Sequence, residues 1–534
     1  MNLADTLLEQ ARIRPNAPAI IDMHKGRSRI TTFAELDQAA ARVARMLVSH
    51  GLQPGDTVLV FHPMSAELYI ALLAVFRQRL VAMFLDPSAG RDHIERCCAM
   101  CPPKALIAGT KAHLLRLVVP ALRRIPVKFV IGFPVPFAVR WSTAERLEPL
   151  TKVHDCAADT PALLTFTSGS TGQPKGAVRS HGLLNAQYRA LSASLILTAG
   201  DVDLATLPIV ALANLGSGVT SLIPDADLRY PGAVAPAPIF AQIQAHGATT
   251  SVASPAFFEC LVRHAAVVAR SGARATTMTF PTFKRLYTGG APVFPRLLDQ
   301  MQTLAPNAEV IALYGSTEAE PIAHVSRRQV TADDLNAMLG GKGLLAGLPV
   351  AEIRLCILRD QWGQPVGPYS LAAFTQACCG VGVPGEIVVH GDHVLPGYLR
   401  GEGDEETKFR VDGAVWHRTG DAGYLDEHGR LWLLGRCVAR IHDAHGDLYP
   451  FAAETAVYQD PQVRRAALVA HRGKRVLAVE FYEGNTPTNL DAVRAAVKWT
   501  HLDEVRLCPS IPVDKRHNAK IDYPSLYRLL EQSN

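Results

Sequence analysis

The stretch Leu163-Leu164-Thr165-Phe166-Thr167-Ser168-Gly169-Ser170-Thr171-Gly172-Gln173-Pro174-Lys175-Gly176 runs an apolar strand into a series of small and hydroxyl residues, then into a proline and a lysine. Glycines let a backbone wrap closely round a polyanion, hydroxyls and backbone N–H groups donate to phosphate oxygens, and a lysine adds positive charge. The segment therefore predicts a phosphate cradle. It is not the Walker pattern, because Lys175 follows Pro174 and the glycines are spaced differently. A plain Ser/Gly/Thr linker accounts poorly for the strand before it and the Gly-x-Pro-Lys-Gly after it.

Further motifs follow along the chain: Thr288-Gly289-Gly290-Ala291-Pro292, Tyr314-Gly315-Ser316-Thr317-Glu318, Arg418-Thr419-Gly420-Asp421, Gly435-Arg436 and Ala519-Lys520-Ile521-Asp522. Each alone is weak, but in this order, across nearly the whole chain, the set resembles the adenylate-forming superfamily. That superfamily includes acyl-CoA synthetases, luciferases and peptide-synthetase adenylation domains.

The resemblance implies ATP and Mg²⁺ as cofactors and a role for each motif. Thr167, Ser168, Gly169, Ser170 and Thr171 would bind phosphate beside Lys175, and Gly289, Gly290, Ala291 and Pro292 would pass the adenine. Tyr314 would stack near adenine in a segment with Gly315, Ser316 and Thr317, while Glu318 would hold the metal. Asp421 and Arg436 would meet the ribose, and Lys520 would be the catalytic lysine, with Lys515 a nearby rival. The residue types suit the chemistry, since attack of a carboxylate on an α-phosphate gathers anions and needs fixed cations and donors where charge accumulates.

Three stretches resemble the olefin-pathway β-lactone synthetases more narrowly. They are Asp86-Pro87-Ser88-Ala89-Gly90, Thr317-Glu318-Ala319-Glu320-Pro321-Ile322, and Pro512-Val513-Asp514-Lys515-Arg516-His517-Asn518-Ala519-Lys520-Ile521. That branch implies a long-chain 2-alkyl-3-hydroxy acid activated as an acyl-AMP, whose own hydroxyl then closes a four-membered lactone. Two departures from thioester-forming members agree with it. Val438 stands where the hinge is usually Asp or Lys, and His445 stands where a glycine usually lets pantetheine pass, with Gly446 one place late. If the nucleophile is already in the substrate, no pantetheine tunnel is needed and intramolecular attack gains effective molarity. A long-chain acyl-CoA ligase, or an acyl-AMP ligase loading a carrier protein, stays open as the alternative. A non-catalytic nucleotide- or lipid-binding scaffold is the alternative of another class. His181, His417 and His517 could serve as a base by residue type, and none is assigned.

These motifs must be positioned by a scaffold of alternating elements. Helical patterns over 33–50 and 65–79 alternate with apolar strands over 57–61 and 80–85, which predicts βαβ units and a mostly parallel sheet. After about residue 350 short strands over 352–358, 385–390 and 423–434 predict a β-rich subdomain. A strand over 476–482 and a terminal helix over 523–532 complete a small α+β domain. The expected class is α/β, with an N-terminal AMP-binding domain over 1–436 and a mobile C-terminal lid over 437–534. The apolar run from Leu207 to Asn214 reads either as the wall of a roomy acyl pocket or as simple core.

Composition bounds the rest. The chain of 534 residues exceeds a single core, which rarely grows past roughly 250–300 residues. A formal charge of +5 gives no footprint for nucleic acid. The N-terminus reads as an amphipathic helix and not as a signal peptide, no window is long and apolar enough to span a membrane, and a cytoplasmic location is expected. The ten cysteines are then expected as reduced thiols, with Cys97, Cys98 and Cys101 a thiol cluster on a helix and Cys378-Cys379 in a loop without a partner. The basic, apolar stretch 114–141 reads as an ordinary helix and buried strand, with peripheral membrane contact as its alternative. A fatty hydroxy acid and a complex with neighbouring pathway enzymes are the implied partners.

Overall fold

The computed structural model describes residues 2–85, 90–168, 174–270, 278–458, 460–482, 490–514 and 520–532, without the side chains of Thr167, Ser168 and Arg270. Residues 1–225 with 392–405 form one compact unit, and 226–391 with 406–534 form another.

In the first unit a seven-stranded sheet runs in the order Val139–Arg140, Val127–Ile131, Ala105–Gly109, Thr57–Phe61, Val81–Phe84, Pro161–Ser168, Pro174–Ser180. Every pair is parallel except the last. Thr57–Phe61 is buried along its whole length, as an apolar strand covered on both faces should be. The helix Phe33–Ser49 starts at a reciprocal cap between Thr32 and Glu35. Ser65, expected inside the next helix, instead caps Ala66–Arg77 by accepting from the Leu68 N–H. That helix, apolar apart from Glu67 and Arg77, is almost wholly buried.

A second sheet of this unit runs Val202–Ala205, Thr220–Leu222, Pro18–His24, Arg27–Thr32. The run from Leu207 to Asn214 lies mainly in the helix Pro208–Ser217, whose Val210, Ala211, Leu212, Ala213 and Asn214 are buried. Ile209, Leu212 and Ala213 meet Leu3 and Leu7 of the helix Leu3–Ile13 and Leu184, Tyr188 and Leu191 of the helix His181–Ser194, leaving a void of only about 10 Å³. Side chains packed to that density are core, so the roomy-pocket reading fails for these residues. His181 is likewise structural. Its Nδ1 accepts the Leu3 N–H at 3.2 Å, and burial pushes its pKa down to about 4.

The second unit begins with the parallel strands Thr250–Ala253, Arg285–Gly289 and Glu309–Ser316. The sheet then turns antiparallel through Ala319–Ser326, Leu344–Pro349, Leu431–Arg436, Ala414–Leu425, Gly385–His390 and Arg354–Leu358. The antiparallel part begins at Ala319, earlier than the change of pattern expected near residue 350. Beyond Arg436 come the hairpin Ile441–Asp443 with Gly446–Leu448, the helix Pro450–Val457, the sheet Val463–His471, Lys474–Phe481, Glu504–Leu507, and the helix Tyr523–Gln532, with two apolar clusters of their own.

Glu454 lies inside that last region, 3% exposed, accepting the Leu468 N–H at 3.0 Å. Burial pushes its carboxyl up from 4.5 to about 8. The folded chain therefore keeps a proton that the unfolded chain releases. The group has no effect below about pH 4.5, and it lowers stability as pH rises toward 8 by up to about 1.4 kcal/mol per pH unit. Glu454→Gln, which keeps an acceptor but cannot ionise, is expected to remove this slope. Urea unfolding from pH 5 to 8.5 measures it, and parallel curves for variant and wild type would refute the assignment.

The cysteines depart in one place from the expectation. Cys356 and Cys378 form a disulfide, joining the strand Arg354–Leu358 to the residue that ends the helix Leu371–Ala377. Cys378 thus has a partner after all, 22 residues away in sequence and 6.2 Å between Cα atoms. Cys97 and Cys98 are buried free thiols, and burial raises both to about 12. Among the described residues no group of His, Cys, Asp and Glu could hold a metal by itself.

Candidate functional site

The second unit brings several of the expected residues together. The parallel strands Arg285–Gly289 and Glu309–Ser316 place Gly289 opposite Leu313. A Cβ on Gly289 would fall 2.6 Å from the Leu313 carbonyl oxygen, so only glycine lets the strands close here. Gly290 then turns the chain with φ 82°, and Ala291 and Pro292 follow half-buried beyond the carboxyl end of the strand, where ligands meet such sheets. Thr288 is wholly buried, yet its hydroxyl has no hydrogen-bond partner among the described residues. An orphaned hydroxyl costs about 1–3 kcal/mol, and a polar ligand edge would relieve it.

The strand Glu309–Ser316 turns tightly into Ala319–Ser326, with Ser316 opposite Ala319 and Thr317-Glu318 at the tip. The Glu318 N–H donates to Ser316 Oγ at 3.3 Å, and the Glu318 side chain is half-buried. From the same strand, the Tyr314 hydroxyl donates to Asp421 Oδ2 at 2.8 Å. Asp421 and Arg436 are register partners across Ala414–Leu425 and Leu431–Arg436. Arg436 Nη1 donates to Asp421 Oδ1 at 2.9 Å and to the Thr419 carbonyl at 3.2 Å. Burial, then the Asp421 carboxylate, pushes the Tyr314 phenol well above its ordinary range, so it remains an O–H donor at working pH. Asp421 in turn raises the Arg436 guanidinium. The result is a fixed donor–acceptor–cation row built from three strands.

Two further groups belong to this cluster. His417 is buried, and its Nδ1–H donates to the Thr407 carbonyl at 3.1 Å. Burial and Lys408 push it down to about 3, against Glu318 and the Thr407 carbonyl, with Arg436 adding to the lowering. It stays neutral above that pH, which makes it a poor proton acceptor in the role considered for it. Arg418, next along, is 2% exposed and paired with Glu386, 1% exposed, through Nη2 to Oε2 at 2.7 Å and Nε to both oxygens at 3.0 and 3.1 Å. Thr419 Oγ1 donates to the Ile387 carbonyl at 2.8 Å and accepts the Asp421 N–H at 3.0 Å. Glu386, Lys408 and Trp362, which lies 5.1 Å under the Arg418 guanidinium, were not singled out in the sequence. Glu386 alone left a signal there, as a lone acid at a core position of an otherwise apolar strand.

Lys520 pairs antiparallel with Asp514. Its N–H donates to Asp514 Oδ1 at 2.9 Å, Asp514 N–H donates back to the Lys520 carbonyl at 2.8 Å, and Val513 bridges Ile521. The Lys520 side chain is exposed. Three residues on, burial, Glu454 and Tyr527 raise the Tyr523 phenol well above its usual range, while Arg436 lowers it. Lys515 and His517 lie outside the described residues.

In the first unit, strand Pro161–Ser168 returns antiparallel as Pro174–Ser180, with Thr167 opposite Lys175. Lys175 is 8% exposed and holds its ammonium 5.9 Å from the Tyr398 ring centroid, a favourable cation–π distance. Gly169, Ser170 and Thr171 lie outside the described residues, as do Asp86 to Ala89.

Residues 7–399 match the AMP-binding enzyme family. An olefin beta-lactone synthetase of Stenotrophomonas maltophilia (strain K279a) is 32% identical, over 97% of this chain and 96% of its own. The olefin beta-lactone synthetase of Xanthomonas campestris pv. campestris is also 32% identical, with the same coverage. Among solved structures, the amide bond synthetase McbA from Marinactinospora thermotolerans shares the fold at a TM-score of 0.78 and 22% identity, covering 98% of this chain and 99% of its own. The anthranilate CoA ligase AuaEII, in complex with anthranoyl-AMP, does so at 0.81 and 16%, covering 100% and 98%. The fold, the clustered motifs and the match over most of the chain give one conclusion: the protein belongs to the AMP-binding enzyme family and is an adenylate-forming, acid-activating ligase.

Proposed function

We propose that the enzyme adenylates a long-chain 2-alkyl-3-hydroxy acid and lets the product close to a β-lactone. In the first step a carboxylate oxygen attacks the α-phosphorus of ATP and pyrophosphate leaves. In the second the 3-hydroxyl oxygen attacks the acyl carbon, its proton passes to solvent, and AMP leaves with the shared oxygen. Asp421, oriented by Tyr314 and Arg436, would accept from the ribose hydroxyls. The orphaned Thr288 hydroxyl supports a nucleotide edge beside the Gly289-Gly290 turn. Glu318 with Ser316 and Thr317 is an oxygen donor set suited to Mg²⁺, which takes one or two carboxylates alongside substrate phosphates. Bound there, the ion would supply charge neutralisation on those phosphates. Residues 437–534 would act as the moving lid that brings Lys520 to the reacting centre.

One observation favours lactone closure over transfer to a thiol. His445, at the register where thioester-forming relatives keep glycine, stacks its ring on His501 with centroids 4.8 Å apart and planes 7° from parallel. In this reading the two exposed imidazoles would stand where a bare backbone lets a pantetheine arm by. The similarity to the two olefin beta-lactone synthetases supports the same reading.

The test is mass spectrometry of reactions holding ATP, Mg²⁺ and a long-chain 2-alkyl-3-hydroxy acid, with and without CoA. The expected product is substrate minus water in both tubes, with the four-membered ring seen by NMR. An acyl-CoA formed only with CoA, and no lactone in either tube, would move the enzyme to the thioester class.

A further inference from the structure

The three most exposed large apolar side chains among the described residues are Phe137, Phe133 and Leu117, at 91%, 81% and 78%. All three belong to one stretch of the first unit, with Leu114 at 60% and Val118 at 56% beside them. Leu114–Leu117 is a short 3₁₀ turn following the helix Thr110–His113, and Phe133 and Phe137 lie in the loop between Val127–Ile131 and Val139–Arg140. The turn and the loop are fastened together. Thr110 Oγ1 donates to the Phe133 carbonyl at 3.0 Å, and Arg116 Nη1 donates to the Pro136 carbonyl at 3.1 Å. Pro134 and Pro136 stiffen the loop, and Phe137 holds a φ of 59°, a conformation disfavoured for a bulky residue. The chain thus holds two aromatic rings in water on a braced support.

The charge around them is one-sided. Residues 96–144 carry eight Lys and Arg and no Asp or Glu, although the whole chain has a net charge of only +5. Lys111, Arg123, Arg124 and Arg140 are exposed. Of these, Arg124 has an ion pair, a solvent-exposed one with Glu95 at 3.4 Å; Lys128 is turned inward onto the Ile125 carbonyl. A contiguous apolar patch rimmed by like charge marks an interaction surface. Exposed aromatic tips with a basic rim suit an anionic bilayer, where the rings enter the headgroup boundary and the cations meet lipid phosphates. Nucleic acid would reward the cations alone and leave Leu114, Leu117 and Val118 in water.

We propose that this face, residues 111–124 with 132–140, docks the enzyme on a membrane surface containing anionic phospholipid. In purpose the docking rests on the long-chain substrate proposed above, since such an acid partitions into bilayers. The test does not depend on it. The full chain is floated with vesicles of phosphatidylcholine plus phosphatidylglycerol, and with phosphatidylcholine alone. The wild type is expected to float with the anionic vesicles and to be released by salt. Arg123→Gln with Arg124→Gln should weaken partitioning about fivefold per residue. Leu117→Ser with Phe133→Ser and Phe137→Ser should weaken it by at least about tenfold. These side chains are open to water, so the variants keep the wild-type thermal midpoint. Failure of the wild type to float with anionic vesicles at low salt overturns the proposal. So does equal flotation of the apolar triple variant, or a dimer or DNA complex lost in that variant while the wild type ignores vesicles. Flotation without lactone formation would count against the proposed reaction and leave the docking surface standing.

Discussion

Replacing Lys520 by alanine is expected to slow acid-dependent ATP–pyrophosphate exchange by about 10²–10³-fold, the effect of removing one preorganised group that meets developing charge. The local structure makes this a sharp test. The Lys520 main chain is locked to Asp514 in both directions, and its side chain is exposed. Truncation should therefore leave this pairing and the thermal midpoint unchanged. Asp421 and Arg436 stay paired without it, so ATP affinity should change far less than the exchange rate. Wild-type exchange in Lys520→Ala, with the loss appearing only in Lys515→Ala, would give the role to the other lysine.

The largest stability effect is expected from Glu386→Ala. Glu386 and Arg418 are almost completely excluded from water and make three hydrogen bonds to each other. Arg418 also donates to the Gln364 carbonyl at 2.7 Å. Burial raises the Glu386 carboxyl, while Arg418 pulls it down. Removing the acid leaves a guanidinium buried without its counter-charge, which typically costs about 3–5 kcal/mol. Replacing both partners together by Leu and Met removes the charge problem, so the double variant should recover much of the loss. Denaturant unfolding of the wild type, the two single variants and the double variant measures the coupling. A loss under about 1 kcal/mol in Glu386→Ala would show that water reaches the pair. The site depends on it indirectly, because Thr419, which orients the Asp421 backbone, follows Arg418 on the same strand.

Elements with a strong local pattern were legible from the residues alone. Thr57–Phe61, Gly385–His390 and Tyr523–Gln532 form where the apolar periodicity places them, because burial of a whole strand or of one helix face is written in neighbouring residues. Ser65 shows the limit. It matches the helical pattern, but its hydroxyl is worth more as a cap than as a further turn.

What the sequence by itself determined is the list of chemical groups and their order: the hydroxyl-rich loop, the Gly289-Gly290 turn, Tyr314, Glu318, Asp421, Arg436 and Lys520. These motifs are short, so their composition and backbone demands are local. Tertiary structure alone decided how they act on one another. Tyr314 and Asp421 are 107 residues apart and meet only because their strands bring them side by side. His417, eligible as a base by residue type, is held neutral by burial beside Lys408 and Arg436. The run from Leu207 to Asn214 was equally apolar as pocket or as core, and packing against two other helices made it core. Cys378 found Cys356 across a sheet edge. Phe133 and Phe137 face water because the loop that carries them is braced at Thr110 and Arg116. Each of these depends on desolvation or on contact between distant segments, and neither is encoded in the spacing of residues along a chain.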